Sequence, residues 1–176
     1  MPRIHTRFYR LLASVFTIMG MVCAASAWSD ERPVLRYHTG SATPQTVNFD
    51  EGKLTAVHFW ATWCAPCIDE IPEMDSALKV YQPKGLRIIA ISMDGTLEKV
   101  TQFYGEHAIT SLTPVLDYKA QSFNTLKISG LPTTVFFDSS GREIARTEGP
   151  MHWLESPNKE FIEQRIGQKD SRENKI

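Results

Sequence analysis

An α/β fold with a mixed central sheet is what this sequence predicts, on three observations. Two apolar runs, Leu54–Trp60 and Leu86–Met93, have the length and composition of buried strands, and each leads into a segment whose apolar residues recur at helical spacing. The turn signal Asp138-Ser139-Ser140-Gly141 separates two further extended runs in the manner of a hairpin. A last helical segment closes the chain. Strand, helix, strand, helix, hairpin and helix is an order in which parallel crossovers and an antiparallel hairpin share one sheet. The 176 residues suffice for one such domain preceded by a targeting segment.

The N-terminus carries the targeting pattern. Arg3, Arg7 and Arg10 precede the uncharged run Leu11–Ala27, which ends on the small-residue triplet Ala25-Ser26-Ala27. A basic start, an apolar stretch and a small-x-small site read as a secretory signal, with cleavage expected after Ala27. Residues 1–27 are then the signal and 28–176 the folded domain. The run is also close to the ~20 residues that span a bilayer, so an uncleaved anchor stays open as the alternative. Val22 before Cys23 does not suit a lipoprotein signal. In both cases the arginines remain on the cytoplasmic side and the rest of the chain is periplasmic or otherwise extracytoplasmic.

From Trp28 to Asp50 the chain is polar with short apolar patches such as Val34-Leu35, a lead-in with weak strands. Leu54–Trp60 is the first buried strand. Trp63-Cys64-Ala65-Pro66 turns it into a helix, and Pro66 is preset for a first helical turn. Ile68, Ile71, Met74, Ala77 and Leu78 carry that helix to about Tyr81, with a kink expected at Pro72. Pro83-Lys84-Gly85 ends it, and the isoleucine-rich strand Leu86–Met93 follows. Thr96–His107 is helical, with Leu97, Val100, Phe103 and Tyr104 on one side. An extended piece at Val115-Leu116 and a short helix over Lys119–Lys127 come next. The hairpin strands are Thr134–Phe137 and Arg142–Thr147. The last helix is Asn158–Ile166, and a charged, frayed tail is expected after Gly167.

Composition excludes several classes of function. The formal charge is −1 and no basic cluster follows the N-terminus, so no nucleic acid is implied as a partner. Cysteines occur at 23, 64 and 67 only. If Cys23 leaves with the signal, the mature chain keeps the pair Cys64/Cys67. A zinc site needs four ligands, and no second close Cys or His pair exists, so no metal is expected. An inert structural disulfide is the bland reading for an exported chain. Against it stands the position: a buried strand running into a CxxC at a helix start. Two cysteines three apart there face one side, at a separation a disulfide can bridge. The helix dipole and unpaired N–H groups favour thiolate at Cys64, which makes it the nucleophile. Cys67, one turn deeper, is placed to resolve a mixed disulfide.

Phe59-Trp60-Ala61-Thr62-Trp63-Cys64-Ala65-Pro66-Cys67 resembles the active site of the thioredoxin superfamily, and within it the exported TlpA/ResA-like thiol–disulfide oxidoreductases. Ile68-Asp69-Glu70-Ile71-Pro72 is similar to that group's habit of placing Glu three residues after the second cysteine. Leu131-Pro132-Thr133 resembles its cis-proline segment, and Val135–Gly141 the strand and turn that follow. Pro114–Ile128 looks like its strand–helix insertion. The resemblance runs from Leu54 to the final helix. It implies a thioredoxin fold and disulfide exchange on protein substrates, with no cofactor beyond the cysteine pair. It implies that Pro132 packs against the disulfide while Leu131 offers backbone groups to an extended substrate. It implies that Glu70 is a carboxylate exchanging protons with Cys67. Trp60 and Trp63 pack around the site, with Trp63 partly exposed beside Cys64. His58 departs from the pattern, standing where relatives carry Asp or Asn. It is either a neutral core histidine or a second candidate proton carrier.

Two further expectations follow from that likeness. Clients are cytochrome c or oxidase maturation proteins, or other exported proteins. Electrons return from a membrane donor of the DsbD/CcdA type. A copper chaperone on the same fold is the alternative function, since thiolates suit copper(I). The copper-delivering relatives space their cysteines CxxxC, unlike this chain. Peroxidase relatives place the reactive cysteine in a different loop pattern.

Overall fold

The structure is a computed structural model that describes residues 32–167. The expected signal or anchor, Cys23 and the charged tail lie outside those residues. The elements are β1 (Arg36–His38), β2 (Gln45–Thr46), β3 (Leu54–Trp60), α1 (Ala65–Tyr81), β4 (Leu86–Ser92), α2 (Leu97–Glu106), β5 (Val115–Asp117), α3 (Gln121–Thr125), β6 (Thr133–Asp138), β7 (Glu143–Glu148) and α4 (Asn158–Gly167). The seven strands form one mixed sheet in the order β2-β1-β5-β4-β3-β6-β7. Strands β3, β4 and β5 run parallel through helical crossovers, whereas β6 is antiparallel to β3 and to β7. β5 and α3 are the expected strand–helix insertion.

Strand β3 is buried along its whole length, as its near-continuous apolar run requires of a central strand. Its residues alternate between two cores. Leu54, Ala56 and Trp60 join Ile71, Met74 and Leu78 of α1, Val100, Phe103 and Tyr104 of α2, and Ile162 and Ile166 of α4. Val57 and Phe59 join Leu35, Tyr37, Val47 and Phe49 of the lead-in, with Leu126 and Ile128 after α3. The lead-in is therefore part of the core, covering a sheet face that would otherwise meet water. Burying each larger side chain contributes about 1.5–3 kcal/mol.

Local chemistry shifts several element ends. The short helix spans Gln121–Thr125 rather than Lys119–Lys127, because Lys119, Ala120 and Lys127 all adopt left-handed backbone at φ 54°, 53° and 52°. The Asp117 carboxylate then accepts the N–H groups of Ser122 and Phe123, satisfying the orphan donors of the first turn. The β6–β7 turn is held by Asp138, whose Oδ1 accepts the Ser140 and Arg142 N–H groups. Gly141 there has φ 81°, and a Cβ would meet the Arg32 side chain at 2.9 Å, so only glycine fits. Helix α1 continues through the exposed Pro72 to Tyr81 without interruption.

Candidate active site around Cys64 and Cys67

The C-terminal end of β3 and the start of α1 build the site. Ala61 O accepts the Cys64 N–H at 3.1 Å, closing a tight turn with Thr62 and Trp63 at its corner. Cys64 is the extended residue at the helix cap, and its carbonyl accepts the N–H groups of Cys67 and Ile68 at 3.0 and 3.1 Å. Pro66 lies in the first turn, where its missing N–H costs nothing. Cys64 and Cys67 form a disulfide with Cα atoms 5.2 Å apart. Cys64 is 7% exposed and Cys67 fully buried, so a partner reaches only the first sulfur.

Trp63 is expected to be partly exposed beside Cys64, and its exposure is greater than that. It is 68% exposed, the most exposed large apolar side chain among the described residues, and it stands beside Cys64 at the rim of the site. A residue at the corner of a tight turn points away from the chain that closes it. Trp60, by contrast, is fully buried, stacked on Tyr104 at 5.7 Å, and its indole N–H donates to Ala90 O at 3.3 Å.

A cavity of about 530 Å³ opens beside Cys64, lined by Trp63, Pro66, Met93, Phe123, Gly130 and Leu131. Sequence reasoning named Trp63 and Leu131 but missed Met93 and Phe123. Phe123 reaches this wall from α3, so the insertion shapes the approach to Cys64. The Leu131–Pro132 peptide bond is cis. Pro132 is buried, and its carbonyl accepts the Gly149 N–H at 2.8 Å.

Behind the disulfide lies a buried polar cluster. Glu70 is 4% exposed, and its Oε1 accepts the Trp153 indole N–H at 2.7 Å. Its Oε2 has no hydrogen-bond partner. Burial pushes the Glu70 carboxyl up to about 7, against the hydrogen bond from Trp153 and the nearby Met151 backbone dipole, which favour the carboxylate. His58 is fully buried, with Nδ1 2.9 Å from Thr134 Oγ1, its cross-strand neighbour, and 3.8 Å from Glu70 Oε1. Burial alone pushes the imidazole down to about 3. It is neutral near pH 7, so its approach to Glu70 is not an ion pair. Neither Trp153 nor Thr134 stood out in the sequence. No motif announces them, because they meet Glu70 and His58 only through the fold.

Asp69 is exposed, as are His107 and His152, while His38 is half-buried against Tyr118. Among the described residues no three His, Cys, Asp or Glu side chains are grouped to hold a metal ion. Among them, too, no helix is long and apolar enough to cross a membrane.

Known proteins share the sequence around this site and its fold. The family model described as thioredoxin-like matches residues 52–143. The thiol-disulfide oxidoreductase ResA of Oceanobacillus iheyensis is 41% identical over 91 residues, covering 52% of this chain and 47% of that protein. The protein of the same name from Geobacillus thermodenitrificans is 33% identical over 91 residues, covering 52% of each. The chain thus matches about half the length of these curated relatives. A thioredoxin-family thiol:disulfide interchange protein from Chlorobium tepidum superposes with a TM-score of 0.62 at 22% identity, covering 78% of this chain and 98% of that one, a likeness of fold.

Proposed function

The chain belongs to the thioredoxin-like family, and from that premise we propose that it is an exported thiol–disulfide oxidoreductase reducing disulfides in extracytoplasmic proteins. The observation that carries this reading is the asymmetry of the cysteine pair. Cys64 borders an apolar cavity at a helix start, and Cys67 is sealed behind it. A structural staple needs no such difference in access.

The chemistry follows from that asymmetry. In the dithiol form Cys64, favoured as thiolate by the helix N-terminus, attacks one sulfur of a client disulfide. A mixed disulfide forms and the client's other sulfur leaves as thiolate. Cys67 then loses its proton and attacks Cys64 Sγ, expelling the client's second thiolate. Two electrons pass from the pair to the client, and the Cys64–Cys67 disulfide is restored. Glu70, one helical turn from Cys67 and with a carboxyl near neutrality, takes the Cys67 proton. Burial keeps His58 neutral near pH 7 and a weak base, which supports Glu70 over it in that role. Leu131 and cis Pro132 lie where an extended client segment would pair with the backbone beside the disulfide. Trp63 supplies an exposed apolar contact. No cofactor is required beyond the cysteines.

The expected signal at 1–27 supports an oxidising compartment, where a reducing pair must be recharged. A membrane donor of the DsbD/CcdA type fits that need. Cytochrome c or oxidase maturation proteins fit as clients by family resemblance. Cys67→Ser leaves Cys64 unable to be released from a client. Expressed in the native host, this variant should accumulate disulfide-linked proteins that a Cys64→Ser/Cys67→Ser double variant does not. In the reduced wild type, iodoacetamide should label Cys64 well before Cys67. No trapped protein, together with equal labelling of both thiols, would reject the reading.

A further inference from the structure

The loop after β7 ties together parts of the site that are remote in sequence. Gly149 N–H donates to the carbonyl of cis Pro132 at 2.8 Å. Two residues of the same loop then reach α1. Trp153 Nε1 donates to Glu70 Oε1 at 2.7 Å, and Leu154 N–H donates to Glu73 Oε1 at 2.9 Å. Trp153 is fully buried, packed edge-on to His58 and tilted against Phe136. A buried indole N–H needs an acceptor, and here it is the buried Glu70 carboxylate, one helical turn from Cys67. The bond divides that carboxylate: Oε1 is committed to the indole, and Oε2 has no hydrogen-bond partner.

We propose that Trp153 is a positioning residue for Glu70, holding Oε1 so that Oε2 alone takes the proton released by Cys67. This rests on the exchange reaction proposed above. During resolution the Cys67 S–H bond breaks and its proton passes to Glu70 Oε2. The sulfur's electron pair forms the Cys64–Cys67 bond, and the client thiolate leaves. The proton then passes from Glu70 to solvent before the next cycle. Because the indole is only a donor, it stabilises the carboxylate and not the acid. It therefore offsets part of the desolvation and keeps the acceptor usable near neutral pH.

Among the described residues, the charged or titratable side chains facing Glu70 are His58, Glu73 and His152. His58 on β3 is neutral and binds Thr134. Glu73 on α1 raises the Glu70 carboxyl, and His152 in the loop lowers it, both less than burial does. Glu73 is itself held by Leu154 N–H and lies 3.5 Å from His152 Nδ1. Among the described residues, Trp153 is the one side chain that makes a hydrogen bond to Glu70 within normal length.

The titrations use the oxidised protein, and the exchange and alkylation rates its reduced form. The Trp153 indole N–H resonance, assigned by its loss in Trp153→Phe or by backbone connectivity, is followed against pH. In wild type it should titrate with a midpoint near 7, and in Glu70→Gln it should not move in that range. In Trp153→Phe the Glu70 side-chain carboxyl carbon should titrate about one to two pH units higher, the effect of losing one charge-assisted hydrogen bond. The pH profile of mixed-disulfide resolution should shift upward by the same amount, with the Cys64 alkylation rate unchanged. If Trp153→Phe does not fold, the wild-type and Glu70→Gln titrations still decide. An indole resonance indifferent to pH, or one that moves alike in both proteins, overturns the proposal. Exchange activity with an indifferent indole would sink the positioning role alone. A titrating indole without exchange activity would sink the oxidoreductase reading instead, and with it the role given to Oε2.

Discussion

Asp94 holds Thr62 twice: one carboxylate oxygen accepts the Thr62 backbone N–H at 2.9 Å and the other accepts its hydroxyl at 2.7 Å. The Ser92 hydroxyl, at the end of β4, donates to the same carboxylate at 2.6 Å. The turn that presents Trp63 and Cys64 is thereby fastened to the neighbouring strand. The Met93 N–H adds a backbone bond to Trp60 O at 2.8 Å. Asp94 is a buttress of the site, two residues beyond the last strand position.

Asp94→Ala should therefore destabilise the protein by about 1–3 kcal/mol, since it leaves the Thr62 N–H and two hydroxyls without their buried acceptor. Urea unfolding gives the number, with an unchanged slope showing that compactness is unaffected. Asp94→Asn, which keeps one acceptor, should cost less. A loss within about 0.5 kcal/mol for the alanine variant would mean that water replaces the buttress without penalty.

The pH dependence of stability should separate Glu70 from His58. Glu70 has its folded value raised from 4.5 to about 7, so the fold binds its proton more tightly than the unfolded chain does. Its contribution is present below 4.5 and is lost as pH rises to about 7. His58 has its folded value lowered from 6.5 to about 3, so the fold resists its protonation. Its contribution is present above 6.5 and is lost as pH falls toward 3. The two slopes oppose each other where the windows overlap. Glu70→Gln should leave a stability that rises with pH up to about 6.5, and His58→Asn one that falls as pH climbs toward 7. The full swing is on the order of 3 kcal/mol for Glu70 and roughly 5 kcal/mol for His58. Urea midpoints across pH 3–8, taken as differences from wild type, report both. Variants with parallel profiles would show that neither group titrates as its burial dictates.

How much of this was legible beforehand depended on the range over which each residue interacts. The β3 run and the CxxC that follows it are local patterns, and both the strand and the helix start came out where the sequence placed them. The short helix came out narrower because the left-handed backbone at Lys119 and Ala120 has no glycine to announce it. Glu70 could be named from its spacing to Cys67, yet its environment could not. Its partner Trp153 lies 83 residues away and comes from a loop with no motif. Asp94 was invisible for the same reason, as its role depends on β3 and β4 lying side by side. Trp63 could be named as partly exposed beside Cys64, but how far it stands out depends on the turn geometry.

Trp63→Ala should test the cavity beside Cys64. The side chain is largely exposed, so stability should change by no more than about 0.5 kcal/mol. Exchange with a protein client should fall by about tenfold, the effect of losing roughly 1.4 kcal/mol of contact. Exchange with glutathione disulfide, which uses the same two cysteines but presents no protein surface to Trp63, should be unchanged. Equal losses on both substrates would place the effect on Cys64 itself rather than on client contact.

The direction of exchange is the remaining expectation, and it favours reduction. A pair becomes strongly oxidising when its dithiol form is specially stabilised, chiefly by interactions that favour a thiolate. Ala65 and Pro66 between the cysteines are both exposed and bring neither charge nor a side-chain donor. The residues that follow are acidic: Asp69, turned to solvent, and Glu70, buried one turn from Cys67. As pH passes about 7 the Glu70 carboxyl becomes negative, and that charge opposes a second one on the nearby sulfur. Only the helix N-terminus works the other way, at Cys64. The balance places the potential below that of protein disulfide isomerase, at about −180 mV. Equilibration with glutathione or dithiothreitol buffers, quenched by alkylation, measures it. A value near −120 mV, that of a strong oxidase, would reverse the assignment and make the pair a donor of disulfides to its clients.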